Sequence, residues 1–360
     1  MSQTLRPYSQ EELLGRPSPP LALVGGRELI EGRRVLVTGA AGSVGTPLVH
    51  MLAGLQPAEL QLLDHHEHTL FRLRVEMGSQ TRVPLRLWLA DVRDRRKLDS
   101  LFREGRPEVV FHLAAYKHVP LGEENPDQTV EVNLAGTRAM IEASAAHGVD
   151  RFVYPSSDKA VNPPSVYGST KRVAEELTLA AARQLPVALS VTRFVNIVGT
   201  RGSVIETLTA QIAAERPITL TDPGMTRYWI TMPEATRLLV QTAAAPESGV
   251  VFMPDTGPAI NLAEMARRLF DLLTGGERAE CPVQYIGARP GERMHEILLS
   301  ENETAVPTPY AGILRVANAR AYLPTYKELS EQIDRLLELA AAGELKTLRG
   351  RLLDLARSLQ

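Results

Sequence analysis

RRVLVTGAAGSVGTPLV, residues 33–49, decides the fold: a short β-branched run, a glycine turn, and the start of a segment with helical period. Gly39, Gly42 and Gly45, with Ser43 and Val44 between them, stand where a first strand passes into a first helix. Residues without a Cβ let the backbone approach a pyrophosphate, whose charge then rests on the helix N-terminus. Three spaced glycines alone mark a tight turn; a strand before, a helix after and an acidic residue about 20 positions on make them a dinucleotide fingerprint. Asp64 closes the next strand, ELQLLD, at that spacing. A carboxylate there accepts from the adenosine ribose hydroxyls and repels a 2′-phosphate, so NAD is expected as cofactor and NADP is disfavoured.

Outward from this unit, strand-like runs alternate with helical ones: RRVLVTG, ELQLLD, PLRLWLA, EVVFHLA, RFVYPS, VALSVTRF and VVFMP, with helices near 44–54, 67–78, 95–103, 127–147, 166–184 and 232–244. That rhythm predicts an α/β chain, a Rossmann-type doubly wound parallel sheet with a smaller C-terminal substrate-binding lobe. Pro217, Pro223, Pro258, Pro282 and Pro290 break the later chain into the short pieces of such a lobe. The expected division is an N-terminal arm or linker over 1–32 and a NAD-binding domain over 33–200, with 229–256 returning to it. The lobe takes 201–228 and 257–325. A C-terminal helical extension over 326–360 is expected to cover the lobe or pair with another subunit.

The segment PSSDKAVNPPSVYGSTKR, residues 155–172, places Asp158, Lys159, Tyr167 and Lys171 within fourteen positions. Tyr167 and Lys171 are four apart and share a helix face, where the ammonium would hold the phenol at a lowered pKa for hydride-transfer chemistry. Asp158 and Lys159 follow the fifth strand and add an acid and a base that oxidation alone does not require. A lysine acts as a base only if its pKa is pulled down, and both adjacent side chains reach one substrate only if Asn162-Pro163-Pro164 turns the loop sharply. Otherwise the pair is an exposed surface ion pair.

Asp91, with Val92 beside it, is a candidate contact to the adenine or simply a loop cap. Ala114 and Ala115 let the chain pass close to a cofactor; Lys117 and His118 follow at the mouth of the cleft. Asn133 in VEVNLAG suits a hydrogen-bonding core position supporting the site. His65, His66 and His68 lack accompanying ligands and suit a solvated loop edge, so no metal site is expected. The net charge of −2 over 360 residues gives no basis for nucleic-acid binding. A single cysteine, Cys281, precludes an internal disulfide. No apolar run reaches the ~20 residues of a membrane span, and the N-terminus lacks a signal-peptide core. A cytoplasmic protein without membrane insertion is expected.

Through LLGRPSPP, VLVTGAAGSVG, HLAAYKHVP, PSSDKAVNP, YGSTKR, RFVNIVGTRGSVI, ITLTDPGMTRYWIT and GARPGER, the chain resembles the nucleotide-sugar 4,6-dehydratases of the extended short-chain dehydrogenase/reductase superfamily. The resemblance is to the polysaccharide-biosynthesis branch acting on UDP-N-acetylglucosamine. It implies a UDP-sugar partner, bound NAD and self-association as a homo-oligomer. It also implies that Tyr167 and Lys171 serve oxidation at C4, Ser157 lines the same site, Lys159 takes the C5 proton, Asp158 protonates the departing C6 hydroxyl, and the hydride returns to C6. For the nucleotide it implies Asn196, Arg201, Ser203, Thr219, Thr221, Arg227, Arg289 and Glu292. Ser157 departs from the threonine of many relatives, and the stretch beyond Ala305 follows no recognised pattern. A UDP-sugar 4-epimerase with the same Tyr/Lys pair, and a non-catalytic cofactor sensor, are the alternatives.

Overall fold

The computed structural model describes residues 5–18, 23–276, 280–287, 291–320 and 322–360. A central sheet is formed by β1 (Arg34–Thr38), β2 (Glu59–Asp64), β3 (Leu85–Leu89), β4 (Val109–His112), β5 (Arg151–Ser157), β6 (Ala188–Phe194), β7 (Val251–Pro254), β8 (Glu303–Pro307) and β9 (Ile313–Asn318), whose inner strands are apolar runs buried on both faces while β3, β8 and β9 are partly exposed. The spatial order is β8-β9-β7-β6-β5-β4-β1-β2-β3. Strands β1 to β7 pair in parallel; β9 runs antiparallel to both β7 and β8. The order reverses between β1 and β4, so a crevice opens beyond the carboxyl ends of these strands.

Helices cover both faces. Helix α1 (Gly45–Gly54) leaves the glycine turn, followed by α2 (Glu67–Gly78) and α3 (Arg95–Gly105). The expected helix over 127–147 is a short helix Pro126–Val130, a π-helical turn Glu131–Gly136, and α4 (Thr137–Ala146). Then come α5 (Val166–Gln184), α6 (Val204–Ala213), α7 (Met232–Ala244), α8 (Leu262–Thr274), α9 (Tyr326–Ala341) and α10 (Leu345–Ser358). Ser165 starts α5 by accepting the Gly168 N–H, and Thr231 with Glu234 forms a capping box on α7. One apolar cluster lies between the sheet and α3, α4, α5, α9 and α10; a second lies on the opposite face under α1, α2 and α7. A third, around α6 and α8, is the core of the small lobe.

Three expectations about organisation are corrected. The described residues of the segment 1–32 do not form an arm outside the core: Leu13 and Leu14 are buried in the lobe, Ile30 under the sheet, and Arg16 reaches Glu234 at 2.6 Å. These apolar anchors are too short to show a period amid proline and glycine. Residues 303–318 join the main sheet as a β-hairpin instead of lying in the lobe. The C-terminal helices do not cover the lobe, but pack on α5 and the 126–136 helical turns. Buried ion pairs seal that side, with Arg172 and Arg193 sharing Glu175 and Glu303 at 2.6–3.1 Å. Among the described residues no helix is long and apolar enough to cross a membrane.

Candidate active site

A cavity of about 1180 Å³ occupies the crevice, walled by the ends of β1, β2, β4, β5 and β6 on one side and the small lobe on the other. Its floor is the glycine turn. Gly39 has φ +63°, and a Cβ there would lie 2.9 Å from the Ala114 nitrogen, so both conformation and the close passage of the β4 loop require glycine. Asp64 is buried at the end of β2; its Oδ2 accepts from Ala41 N at 3.1 Å and its Oδ1 from His66 N at 3.0 Å. Ser43, Val44, Val92 and Ala114 line the same end. Asp91 lines it too, but its carboxylate is gripped by Arg93, whose Nε and Nη2 donate at 2.7–3.1 Å. That is the loop-capping reading of Asp91 realised with a side-chain partner.

The fifth strand delivers the Asp158–Lys159 pair. Ser157 ends β5 and its Oγ accepts from Lys159 N at 3.3 Å, closing a single 3₁₀ turn over Asp158–Ala160. The turn sets two adjacent side chains against each other: Lys159 Nζ donates to Asp158 Oδ1 at 3.1 Å. Asp158 is fully buried and does not line the cavity, whereas Ser157, Lys159, Tyr167 and Lys171 do. Its Oδ1 also accepts from Ser157 Oγ at 2.9 Å, and its Oδ2 has no hydrogen-bond partner among the described residues. Burial, joined by Glu296, pushes the Asp158 carboxyl upward against the pull of Lys159. The surface ion pair is thereby set aside for a buried one.

Two electrostatic expectations are reversed. Lys159 is held above its ordinary value: burial disfavours its charge, but Asp158 and Glu296 outweigh burial. Tyr167 is raised by burial, with Lys159 and a Ser157 hydrogen bond pulling the other way. Lys171 carries the lowered value instead, about 7, because burial outweighs Glu175. Its Nζ donates to the Pro155 carbonyl at 2.8 Å and sits 4.7 Å above the Tyr154 ring. Beside it, His112 is pulled down to about 3 by burial and by Lys171. Thr137 gives its hydroxyl proton to the Asn133 carbonyl and so accepts from His112 Nε2 at 3.1 Å, leaving Nδ1 to accept from Thr38 at 2.8 Å. Asn133 braces Tyr116 and Thr170 through its amide, the supporting position read from its sequence context.

The lobe supplies the facing wall. Asn196 accepts from Lys159 Nζ at 3.3 Å. Thr219 takes Gln211 at 2.7 Å, Thr221 donates to Glu292 at 3.4 Å, and Ser203 caps α6; all line the cavity. Arg201, expected on the substrate, reaches back to the glycine turn, with its N–H on Ser43 Oγ at 3.1 Å and its guanidinium on the Ala41 carbonyl. Lys117 donates to the Arg201 carbonyl at 2.9 Å, and its ammonium is lowered by burial and by Arg201. His118 packs against Gly202. Arg227 spends its fork on the carbonyls of Thr226, Arg293 and Met294 at 2.7–3.1 Å, so it braces the 291–296 segment. Arg289 lies outside the described residues.

Glu296 is the group that sequence reasoning missed. Nearly buried, its Oε1 lies 3.2 Å from Lys159 Nζ and 3.4 Å from Arg227 Nε, which couples the lobe to the Asp158–Lys159 turn. A carboxylate three positions after the arginine of GARPGER, beside Met294 and His295, offers no periodic signal; only the fold brings it to Lys159.

Residues 35–318 match the family described as polysaccharide biosynthesis protein. The chain belongs to that family. It is 39% identical over 301 residues to the probable polysaccharide biosynthesis protein EpsC of Bacillus subtilis, which covers 83% of this chain and 50% of the relative. The chain therefore spans about half the length of that protein. A UDP-N-acetylglucosamine 4,6-dehydratase (inverting) of Campylobacter jejuni is 30% identical over 323 residues, 88% of this chain and 90% of the relative. Relatives named UDP-glucose 4-epimerase also match. Among solved structures, Pen from Bacillus thuringiensis superposes with a TM-score of 0.75 at 27% identity, covering 86% of this chain and 98% of that one. MoeE5, solved with UDP-glucuronic acid and NAD, superposes at 0.62 and 25% identity, covering 72% of this chain and 88% of that one. The Rossmann-type fold of the short-chain dehydrogenase/reductase enzymes is thus shared.

Proposed function

We propose that this protein dehydrates a UDP-sugar of the N-acetylglucosamine type to its 4-keto-6-deoxy product, for polysaccharide or glycan synthesis. The observation that carries this reading is the buried Asp158, one oxygen unpaired, joined to Lys159 at the edge of the cavity that also holds Tyr167 and Lys171. An epimerase needs only the latter two. The glycine turn and Asp64 fit a dinucleotide, because a Cβ at Gly39 would fill the approach and Asp64 presents a carboxylate at the ribose position. Gly39, Gly42, Gly45, Asp64 and Lys171 would hold NAD, which supplies reversible hydride storage when bound.

The chain's own part is proton handling. Tyr167 takes the C4 hydroxyl proton as its phenolate, the form that Lys159 and the Ser157 hydrogen bond favour against burial, with Lys171 four positions on along the same helix. The resulting 4-ketone acidifies the hydrogen on C5. Lys159 Nζ removes that proton as a neutral amine, and Asp158 gives its proton to the C6 oxygen, which departs as water. The neutral amine and acid carry the same total charge as the ion pair. The reactive form therefore differs from the resting one by a single proton moved across 3.1 Å. Desolvation under a bound sugar favours the neutral form; Glu296 favours the charged one. Elimination leaves the pair as the resting ion pair; C5 then takes one proton from solvent as C6 receives the hydride stored from C4, and Tyr167 gives the C4 proton back to solvent, so the cycle closes with no net proton or redox change. Purified protein with NAD and UDP-N-acetylglucosamine should give a product lighter by one water. A product of unchanged mass would support the epimerase instead.

A further inference from the structure

The last helix touches the catalytic segment at both of its ends. At one end, the Gln360 carboxamide clasps the turn that follows Lys159: Asn162 N donates to Oε1 at 2.8 Å, and Nε2 donates to the Ala160 carbonyl at 3.4 Å. At the other, Arg349 Nε donates to Glu123 Oε2 at 2.8 Å, and the opposite oxygen of Glu123 accepts from Val166 N at 2.7 Å, one residue before Tyr167. Between these contacts α10 is fixed by Leu348, Leu352 and Ala356, all fully buried. The carbonyl of Leu359 receives Arg172 Nε at 2.9 Å and Arg320 Nη1 at 2.6 Å, which anchors the helix end in the buried ion-pair network.

The clasped turn needs holding. Asn162 has φ +44°, a left-handed conformation that a non-glycine residue keeps only where its surroundings impose it. From the lobe, Arg293 adds a second hold by donating to the Val161 carbonyl at 2.8 Å. The Gln360 pair grips the backbone on both sides of that bond. We propose that α10 is a strut of the active site and that Gln360 is a positioning residue for the Asp158–Lys159 pair. This rests on the dehydratase reading for its kinetic arm, but its structural arm is independent of it.

The test is Gln360→Ala in the full chain, with Ser358→Ala, on the exposed face of the same helix, as the control. Amide exchange over residues 158–162 should quicken roughly tenfold in Gln360→Ala, the loss of about one hydrogen bond, while the control matches wild type. Water loss from the UDP-sugar should slow by about tenfold in kcat with KM within about twofold, because the turn is misplaced without a lost substrate contact. Reduced nicotinamide should accumulate, since Tyr167 and Lys171 still oxidise C4. Unchanged exchange in the turn would overturn the proposal. So would equal slowing of oxidation and elimination together with a lowered unfolding midpoint, which would mark a role in folding alone. Faster exchange in a protein whose wild type releases no water would leave the strut standing and remove the dehydratase.

Discussion

Two clusters of buried charge lie about α5, and they are built on opposite principles. In one, Arg172, Arg193 and Arg320 face Glu175, Glu176 and Glu303: three cations, three carboxylates, each oxygen of Glu303 engaged and none of the six lining the cavity. Burial works against the Glu303 charge, yet Arg193 and Arg172 pull its carboxyl down to about 2. In the other the pairing is incomplete: Asp158 and Glu296 both face Lys159 and Glu296 also meets Arg227 Nε at 3.4 Å, but one Asp158 oxygen has no partner among the described residues and Lys159 fronts a cavity. A balanced, closed set fixes one protonation state and so serves structure. An incompletely paired set at a cavity wall keeps a second protonation state within reach, as proton transfer requires.

Breaking the balanced cluster should have the largest effect. Glu303→Ala leaves two buried guanidiniums short of a carboxylate and should lower unfolding free energy by about 3–5 kcal/mol in denaturant titration. A loss under about 1 kcal/mol would erase the contrast. In the wild type, the depressed pKa makes the Glu303 contribution fully present above the ordinary value of 4.5 and lost as pH falls toward about 2.

Lys171 probes the boundary between the two. Its folded value of about 7, against 10.5 ordinarily, means that burial costs stability fully below pH 7 and ceases to do so above 10.5. Lys171→Met should therefore raise unfolding free energy by on the order of 2–3 kcal/mol at pH 6, and by less at pH 9, while abolishing sugar oxidation. A gain that does not shrink with pH would contradict the assignment. The smallest effect is expected at the incompletely paired cluster itself. Glu296→Gln removes one of the two anions holding Lys159 charged, so acylation of the Lys159 amine in the empty protein should quicken roughly tenfold, one unit of pKa. Unchanged reactivity would show that Asp158 alone sets the lysine.

The regions also differ in how far they can be read from sequence. The glycine turn, Asp64 and the strands announce themselves because strand, turn and helix are local, and α5 spans Val166–Gln184 where its period predicts it. The pairing of Asp158 with Lys159 is legible as chemistry but not as geometry: the 3₁₀ turn that buries one and sets the other, half-buried, on the cavity wall depends on Ser157, Asn162 and what grips them. Glu296 and Gln360 meet the turn across more than a hundred positions, and residues 313–316 return to β7 across 59–65, distances at which spacing carries no signal. For the same reason the pKa of Lys159 was expected to fall and instead rises. The carboxylates that raise it are Asp158, adjacent in sequence but turned onto the ammonium by the 3₁₀ turn, and Glu296, brought to it from the lobe.

The account stands most directly on Lys159→Ala in a single-turnover reaction with NAD and UDP-N-acetylglucosamine in deuterated water. Wild type should release a product lighter by one water and carrying deuterium at C5. The variant should still reduce nicotinamide, yet lose about 10²–10⁴-fold in water release, the usual worth of a general base. Water release by the variant at the wild-type rate would contradict the central claim that the buried pair carries out the elimination.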